Sequence, residues 1–196
     1  MLVHPATDVD RSRFLTIQEL QAGASELPGA SPEWSILDAV VSRTELGHRA
    51  LSEPMRLTIA GGVPGDGWIR KEGATVDSQI TVMETSVAEL IANRQPLALF
   101  GDNMFVDLDL SIENLPPGSR VMIGGALLEV TTKIHKGCKK FAARFGVDAL
   151  RFVSTPFGRA RRFRGLYLKV VEEGDVAPGD AVTVVERASR VEEAAV

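Results

Sequence analysis

Two stretches of the chain repeat one local design. Leu115-Pro116-Pro117-Gly118-Ser119-Arg120-Val121-Met122-Ile123 and Val176-Ala177-Pro178-Gly179-Asp180-Ala181-Val182-Thr183-Val184 share the order apolar, any residue, Pro-Gly, two further residues, apolar, any residue, apolar. Proline presets φ at about −65° and glycine accepts positive φ, so each Pro-Gly makes a tight turn. The alternation that follows predicts a strand with one face buried. Gly124-Gly125 and a further strand over 126–134 complete a hairpin after the first copy. A strand over 165–171 and a turn at 172–175 precede the second. Short strands recurring with such turns predict a mostly β fold, a closed or nearly closed β-barrel with a few short peripheral helices.

The chain of 196 residues is long enough for one domain with a substantial core. The division read from the sequence is an N-terminal extension over 1–60 that packs on the barrel, a barrel core over 61–187, and a disordered tail over 188–196. The net charge of −4 gives no global attraction for nucleic acid or an anionic membrane. A single cysteine cannot close an intrachain disulfide. The N-terminus lacks the basic-then-apolar pattern of a signal peptide, and no apolar run reaches the length of a bilayer. The expectation is a cytoplasmic protein with neither nucleic acid nor membrane among its partners.

Elsewhere the signals are local. The first dozen residues have no period and read as a frayed arm. Thr16-Ile17-Gln18-Glu19 is a capping box that starts a helix through about Ala22, which Gly23 then weakens. Residues 36–42, 57–59 and 77–82 read as strands, and 45–51 is ambiguous. Residues 86–93 read as a helix capped at Ser86 with Glu89 at its third position. Alternation over 105–110 predicts a strand with Asp107 and Asp109 on one face, a carboxylate pair or a solvated surface. The glycine-dense run Gly61-Gly62-Val63-Pro64-Gly65-Asp66-Gly67-Trp68 fits a tight connection or an anion-binding loop.

The chemistry concentrates in His135-Lys136-Gly137-Cys138-Lys139-Lys140-Phe141-Ala142-Ala143-Arg144-Phe145-Gly146, which holds the one cysteine. With Gly137 as N-cap and Gly146 past the C-terminus, a short helix places Cys138 in its first turn. Lys136, Lys139, Lys140 and His135 would supply positive charge, the setting in which a thiol ionises and becomes a nucleophile or soft-metal ligand. A second reading has equal claim. Cys138, Phe141, Ala142 and Phe145 form one apolar helical stripe, and free cysteine is often buried. Downstream, Gly158-Arg159-Ala160-Arg161-Arg162-Phe163-Arg164-Gly165 carries four arginines in eight residues. Their planar forks suit phosphate or carboxylate, and a solvated basic loop is the alternative.

The block Gly137-Cys138-Lys139-Lys140-Phe141, the run Arg144-Phe145-Gly146-Val147-Asp148-Ala149-Leu150-Arg151-Phe152-Val153 and the segment 158–165 resemble the core motif of bacterial MOSC domains, the C-terminal domains of molybdenum-cofactor sulfurases. Gly65-Asp66-Gly67-Trp68, Gly101-Asp102-Asn103, Asp107-Leu108-Asp109-Leu110-Ser111 and the segment 174–180 match in the same order, so the resemblance covers about 61–185. It implies a MOSC-type β-barrel in which Cys138 carries sulfur as a persulfide or, as in amidoxime-reducing relatives, ligates molybdenum. The cofactor implied is the molybdenum cofactor, molybdopterin, whose soft metal and phosphate call for a sulfur ligand beside cationic anchors. The candidate cofactor-binding residues are His135, Lys136, Lys140, Arg161, Arg162, Arg164, Asp66 and Asn103, with Asp66, Trp68 and Asn103 at motif positions. Partners implied are a cysteine desulfurase or other sulfur donor and a molybdoenzyme acceptor. The alternatives are a non-catalytic barrel that binds an anionic ligand with Cys138 merely packed, and a molybdenum-dependent reductase of N-hydroxylated substrates. No lysine-bearing pyridoxal phosphate signature is present, nor is the aminotransferase-like domain that generates sulfur in the full sulfurases or the N-terminal β-barrel domain of larger MOSC proteins.

Overall fold

The computed structural model describes residues 3–5, 8–44, 48–51 and 54–189. Seven strands close a barrel in the order β2 (Trp34–Arg43), β11 (Ala181–Glu186), β7 (Arg120–Ile123), β8 (Ala126–Val130), β9 (Leu166–Glu172), β5 (Ile80–Glu84) and β6 (Met104–Val106), and β6 returns to pair with β2. Only the β5–β6 pair among these is parallel. The two Pro-Gly repeats become β7 and β11, with Gly118 and Gly179 at the positive φ their turns need. The repeats also pair with each other, Val182 opposite Ile123 and Thr183 opposite Met122. Outside the barrel, β3 (His48–Leu51) extends from the far half of β2, β1 (Val3–Pro5) adds to β3, and β4 (Met55–Leu57) with β10 (Gly174–Val176) makes a separate ribbon.

Among the described residues five α-helices cover one side of the barrel: α1 (Ile17–Glu26), α2 (Thr85–Ala92), α3 (Lys139–Phe145), α4 (Val147–Ser154) and α5 (Pro156–Ala160). Side chains on a strand alternate between faces, so β5 and β6, buried throughout, serve two cores. Val82, Met104 and Val106 enter the barrel interior, while Met83 and Phe105 point into the helical layer beside Phe100, Phe141, Phe145 and Phe152. Full burial of a side chain such as Phe105 contributes about 2–3 kcal/mol. This shared strand pair fixes the helices, and with them the cysteine segment, against the barrel.

Several expectations change. β2 supplies a barrel strand from within the stretch read as an N-terminal extension. Residues 3–5 pair with β3 instead of fraying; residues 45–47 of the ambiguous segment lie outside the described residues, and 48–51 are a strand. The Thr16–Glu19 capping box is present, but α1 runs on to Glu26 because Gly23 lets it pack closely over Leu90 of α2. Ser86 does not cap α2. Glu84 precedes the helix, and Asp107 accepts from the Ser86 N–H at 2.9 Å and hydroxyl at 2.7 Å. Strand β6 ends at Val106, and Gly174 and Asp175, expected within a turn, open β10. Of the expected tail, Ala188 donates its N–H to Ser119 Oγ at 3.1 Å, and 190–196 lie outside the described residues. Among the described residues no helix is long and apolar enough to cross a membrane.

Candidate functional site

Cys138 is itself the N-cap of α3, extended at φ −136° and ψ 175°, with its carbonyl accepting from Ala142 N–H at 3.0 Å. Gly137, expected in that role, is instead pressed against Leu150 in the packing beneath the segment. The apolar stripe expected through the cysteine is only partly buried: Phe141 and Phe145 are enclosed, but Cys138 is exposed. The packed-thiol reading is therefore overturned. The residue caps the helix from an extended conformation, so its side chain leaves the direction of the stripe. Lys136, Lys139 and Lys140 are exposed around it. Cys138 also lies within electrostatic reach of Arg144 and Tyr167.

Behind the cysteine, guanidinium groups from four parts of the chain converge. Arg43, at the end of β2, grips Asp66 with Nη2 at 2.6 Å from Oδ1 and Nε at 2.9 Å from Oδ2, and its backbone N–H donates to Oδ2 at 2.7 Å. Asn103, fully buried, accepts from Arg43 Nη2 at 3.1 Å and from Thr81 N–H and Oγ1 at 3.1 and 3.0 Å. Its amide donates to Val41 O and Asp66 Oδ2. Asp66 and Asn103 thus hold Arg43 in place between β2 and β5. Burial would raise the Asp66 carboxyl, yet the Arg43 contacts keep it below the ordinary carboxylate range.

Arg164 donates to Asp102 Oδ2 at 2.6 Å and its guanidinium lies 5.1 Å from the Phe141 ring centre. Burial raises the Asp102 carboxyl against the opposing pull of Arg164. Arg144 donates to Leu99 O at 3.0 Å. The Arg49 guanidinium packs over Gly101, which sits at φ +73° beside Asp102. Burial, then Arg144 and Arg43, bring the Arg49 group down to about 10, so it stays charged at neutral pH. Four guanidiniums face two carboxylates in this network, an excess of positive charge beside an exposed sulfur.

His135 contributes no charge to it. Burial of its side chain, then Arg164 and Arg43, depress its pKa well below the ordinary histidine value. Its Nδ1 stands 3.6 Å from Asp102 Oδ1, too long for a hydrogen bond, and a neutral imidazole there makes no ion pair. His135 Nδ1, Asp102 Oδ1 and Arg164 Nε are all buried without a hydrogen-bond partner. The ring stacks obliquely on Tyr167 with centroids 4.6 Å apart.

The arginine run disperses. Arg164 enters the network just described, Arg162 donates to the carbonyls of Leu115 at 2.7 Å and Leu110 at 3.2 Å, and Arg161 lies 3.6 Å from Asp109. Arg161 borders a cavity of about 210 Å³ with Glu84 and Phe163, away from the cysteine. A larger cavity of about 450 Å³ is lined by His135, Arg159, Arg162 and Arg164 together with Lys133, Ile134, Ile112 and Val153. Cys138 is not among its walls. Sequence reasoning missed Arg43 and Arg49 because they lie far from the cysteine in the chain, and it took Asp102 and Arg144 only as parts of matching motifs. Among the described residues no group of three or more His, Cys, Asp or Glu side chains could hold a metal ion.

Known proteins resemble the chain at the level of family and fold. The sequence profile of the MOSC domain matches residues 70–183. The structure of the YuaD protein from Bacillus subtilis is 20% identical and superposes with a TM-score of 0.62, covering 79% of this chain and 97% of that one. YiiM from Escherichia coli is 20% identical, with a TM-score of 0.55 over 79% of this chain and 72% of that one. YiiM from Geobacillus stearothermophilus is 21% identical, with a TM-score of 0.52 over 78% and 74%. No curated protein matches the sequence.

Proposed function

The chain belongs to the MOSC domain family, and from that premise we propose that it binds molybdenum cofactor and carries sulfur as a persulfide on Cys138 for delivery to a metal–sulfur cofactor. The observation that carries this reading is the exposure of Cys138 beside a network with more guanidiniums than carboxylates. Such surroundings attract anions to an accessible sulfur.

The donor set fits the cofactor's chemistry. Arg43, Arg49, Arg144 and Arg164 would hold its anionic groups, and the buried Arg164 Nε lacks a partner within the protein. Cys138 would be the soft ligand or the sulfur donor to it. When bound, the cofactor supplies a redox-active metal held by sulfur. Lys136 and Lys140 lie exposed on the cysteine segment, where they would steer an acidic partner by long-range attraction.

The sulfur-loading step needs only the thiolate and a donor persulfide. Cys138 Sγ attacks the outer sulfur of the persulfide on a cysteine desulfurase, a new S–S bond forms on Cys138, the donor's S–S bond breaks, and the donor leaves as a thiolate. No net oxidation occurs, and a molybdoenzyme is the acceptor class this reading assigns. The test is intact mass after incubation with a cysteine desulfurase and cysteine. One added sulfur atom is expected on the wild-type chain and none on Cys138→Ser; no mass gain on the wild-type chain, or the same gain on both, would remove the persulfide role.

A further inference from the structure

The cavity of about 450 Å³ next to His135 has an unusual wall. Its lining is mostly apolar, with Ile112, Ile134, Val153 and Leu166 among its residues, and it includes four cations and no carboxylate. Two of the cations are committed elsewhere, Arg162 to the carbonyls of Leu110 and Leu115 and Arg164 to Asp102. Arg159 and Lys133, both exposed, are in no ion pair with another described residue, Lys133 lying 5.9 Å from the centre of the Tyr167 ring. Behind this wall, out of reach of the cavity itself, His135 Nδ1 and Arg164 Nε are buried without a hydrogen-bond partner. Ile134 and Ile112 remain 71% and 47% exposed at this cavity, an arrangement that leaves large apolar side chains in water unless something covers them.

We propose that this cavity binds a small organic anion, an apolar aliphatic or aromatic body carrying one carboxylate. Its volume falls within the range of small-molecule sites, apolar walls with a few convergent polar groups. The apolar body would lie against Ile112, Ile134 and Val153, and the carboxylate would take the fork of Arg159 and the ammonium of Lys133. The absence of any wall carboxylate gives the preference for an anion over a cation of the same shape, since a buried cation here would meet only like charge.

The site is tested by titrating the full chain with decanoate and with decylamine in an isothermal calorimeter, no sulfur donor being present. Decanoate is expected to bind one per chain and decylamine at least about tenfold more weakly. Replacing Arg159 by Ala removes a charge-assisted contact and should weaken decanoate about tenfold. The substitution Ile134→Asp, at a side chain exposed enough to tolerate it, places a carboxylate at the cavity and should abolish decanoate binding. Equal binding of the two amphiphiles, no binding of decanoate, or indifference to both substitutions overturns the proposal. None of these results bears on sulfur uptake at Cys138, which is read by mass in a separate reaction.

Discussion

Arg164 and Asp102, sixty-two residues apart in the chain, meet at 2.6 Å with both side chains almost wholly enclosed. Taking one partner away strands the other charge in a medium that solvates it poorly, and such breaks cost about 3–5 kcal/mol. Asp102→Asn should therefore lower the urea unfolding free energy by roughly that amount. The double change Asp102→Leu with Arg164→Met should cost clearly less than the two single changes summed.

Glu84 gives the protein a pH dependence of defined sign. Its carboxyl is buried with Oε2 unpartnered. Burial, aided by Asp107 and Asp109 and opposed by Arg161, raises it to about 7. The folded state keeps this proton in a range where the unfolded chain, at about 4.3, has released it. The stabilisation is thus complete below about 4.3 and is lost as pH rises through 7. Glu84→Gln, which resembles the protonated form, should change stability little at pH 4 and raise it by roughly 3 kcal/mol at pH 8, measured by urea denaturation at the two pH values.

Gly165 cannot accept a side chain. It joins the arginine run to β9 at φ +86°, and a Cβ there would collide with the carbonyl oxygen of Val82 on the adjacent strand β5. Gly165→Ala should lower the thermal midpoint sharply, with a cost above about 3 kcal/mol from strain and overlap together. Gly179→Ala shares a positive φ but meets nothing within 4 Å, so it should cost only the conformational part, about 1 kcal/mol.

Cys138 should react in the native state. An exposed thiol is alkylated without unfolding, and surrounding cations favour an anionic reagent over a neutral one. The ratio of iodoacetate to iodoacetamide labelling rates is expected to fall by a few-fold between low salt and 1 M salt, where screening is nearly complete. A further fall at low salt is expected for Arg144→Gln. Labelling followed by mass would show a salt-independent ratio if those cations did not act on the sulfur.

What could be read from the chain was what local chemistry decides. The Pro-Gly turns, the strands that follow them and the Thr16–Glu19 capping box depend on neighbours a few residues away, and they appear where their residues predict them. The paired Asp66 and Asn103 stood out only as motif matches. Their work, holding Arg43, could not be seen because Arg43 lies 23 and 60 residues from them. The arginine run misled for the same reason: adjacency in sequence sends Arg161, Arg162 and Arg164 to three different surroundings, because successive residues of a helix end and turn point in different directions.

By itself, then, the sequence determined a mostly β barrel and a short helix around a single cysteine, both set by backbone preferences and hydrophobic alternation, and it carried a family resemblance in the order of its motifs. Whether the sulfur faced solvent or core, whether His135 carried charge, and which arginines gathered behind Cys138 were decided only by tertiary structure. Those properties depend on burial and on distances between groups that the chain brings together from far apart, and no local pattern encodes either.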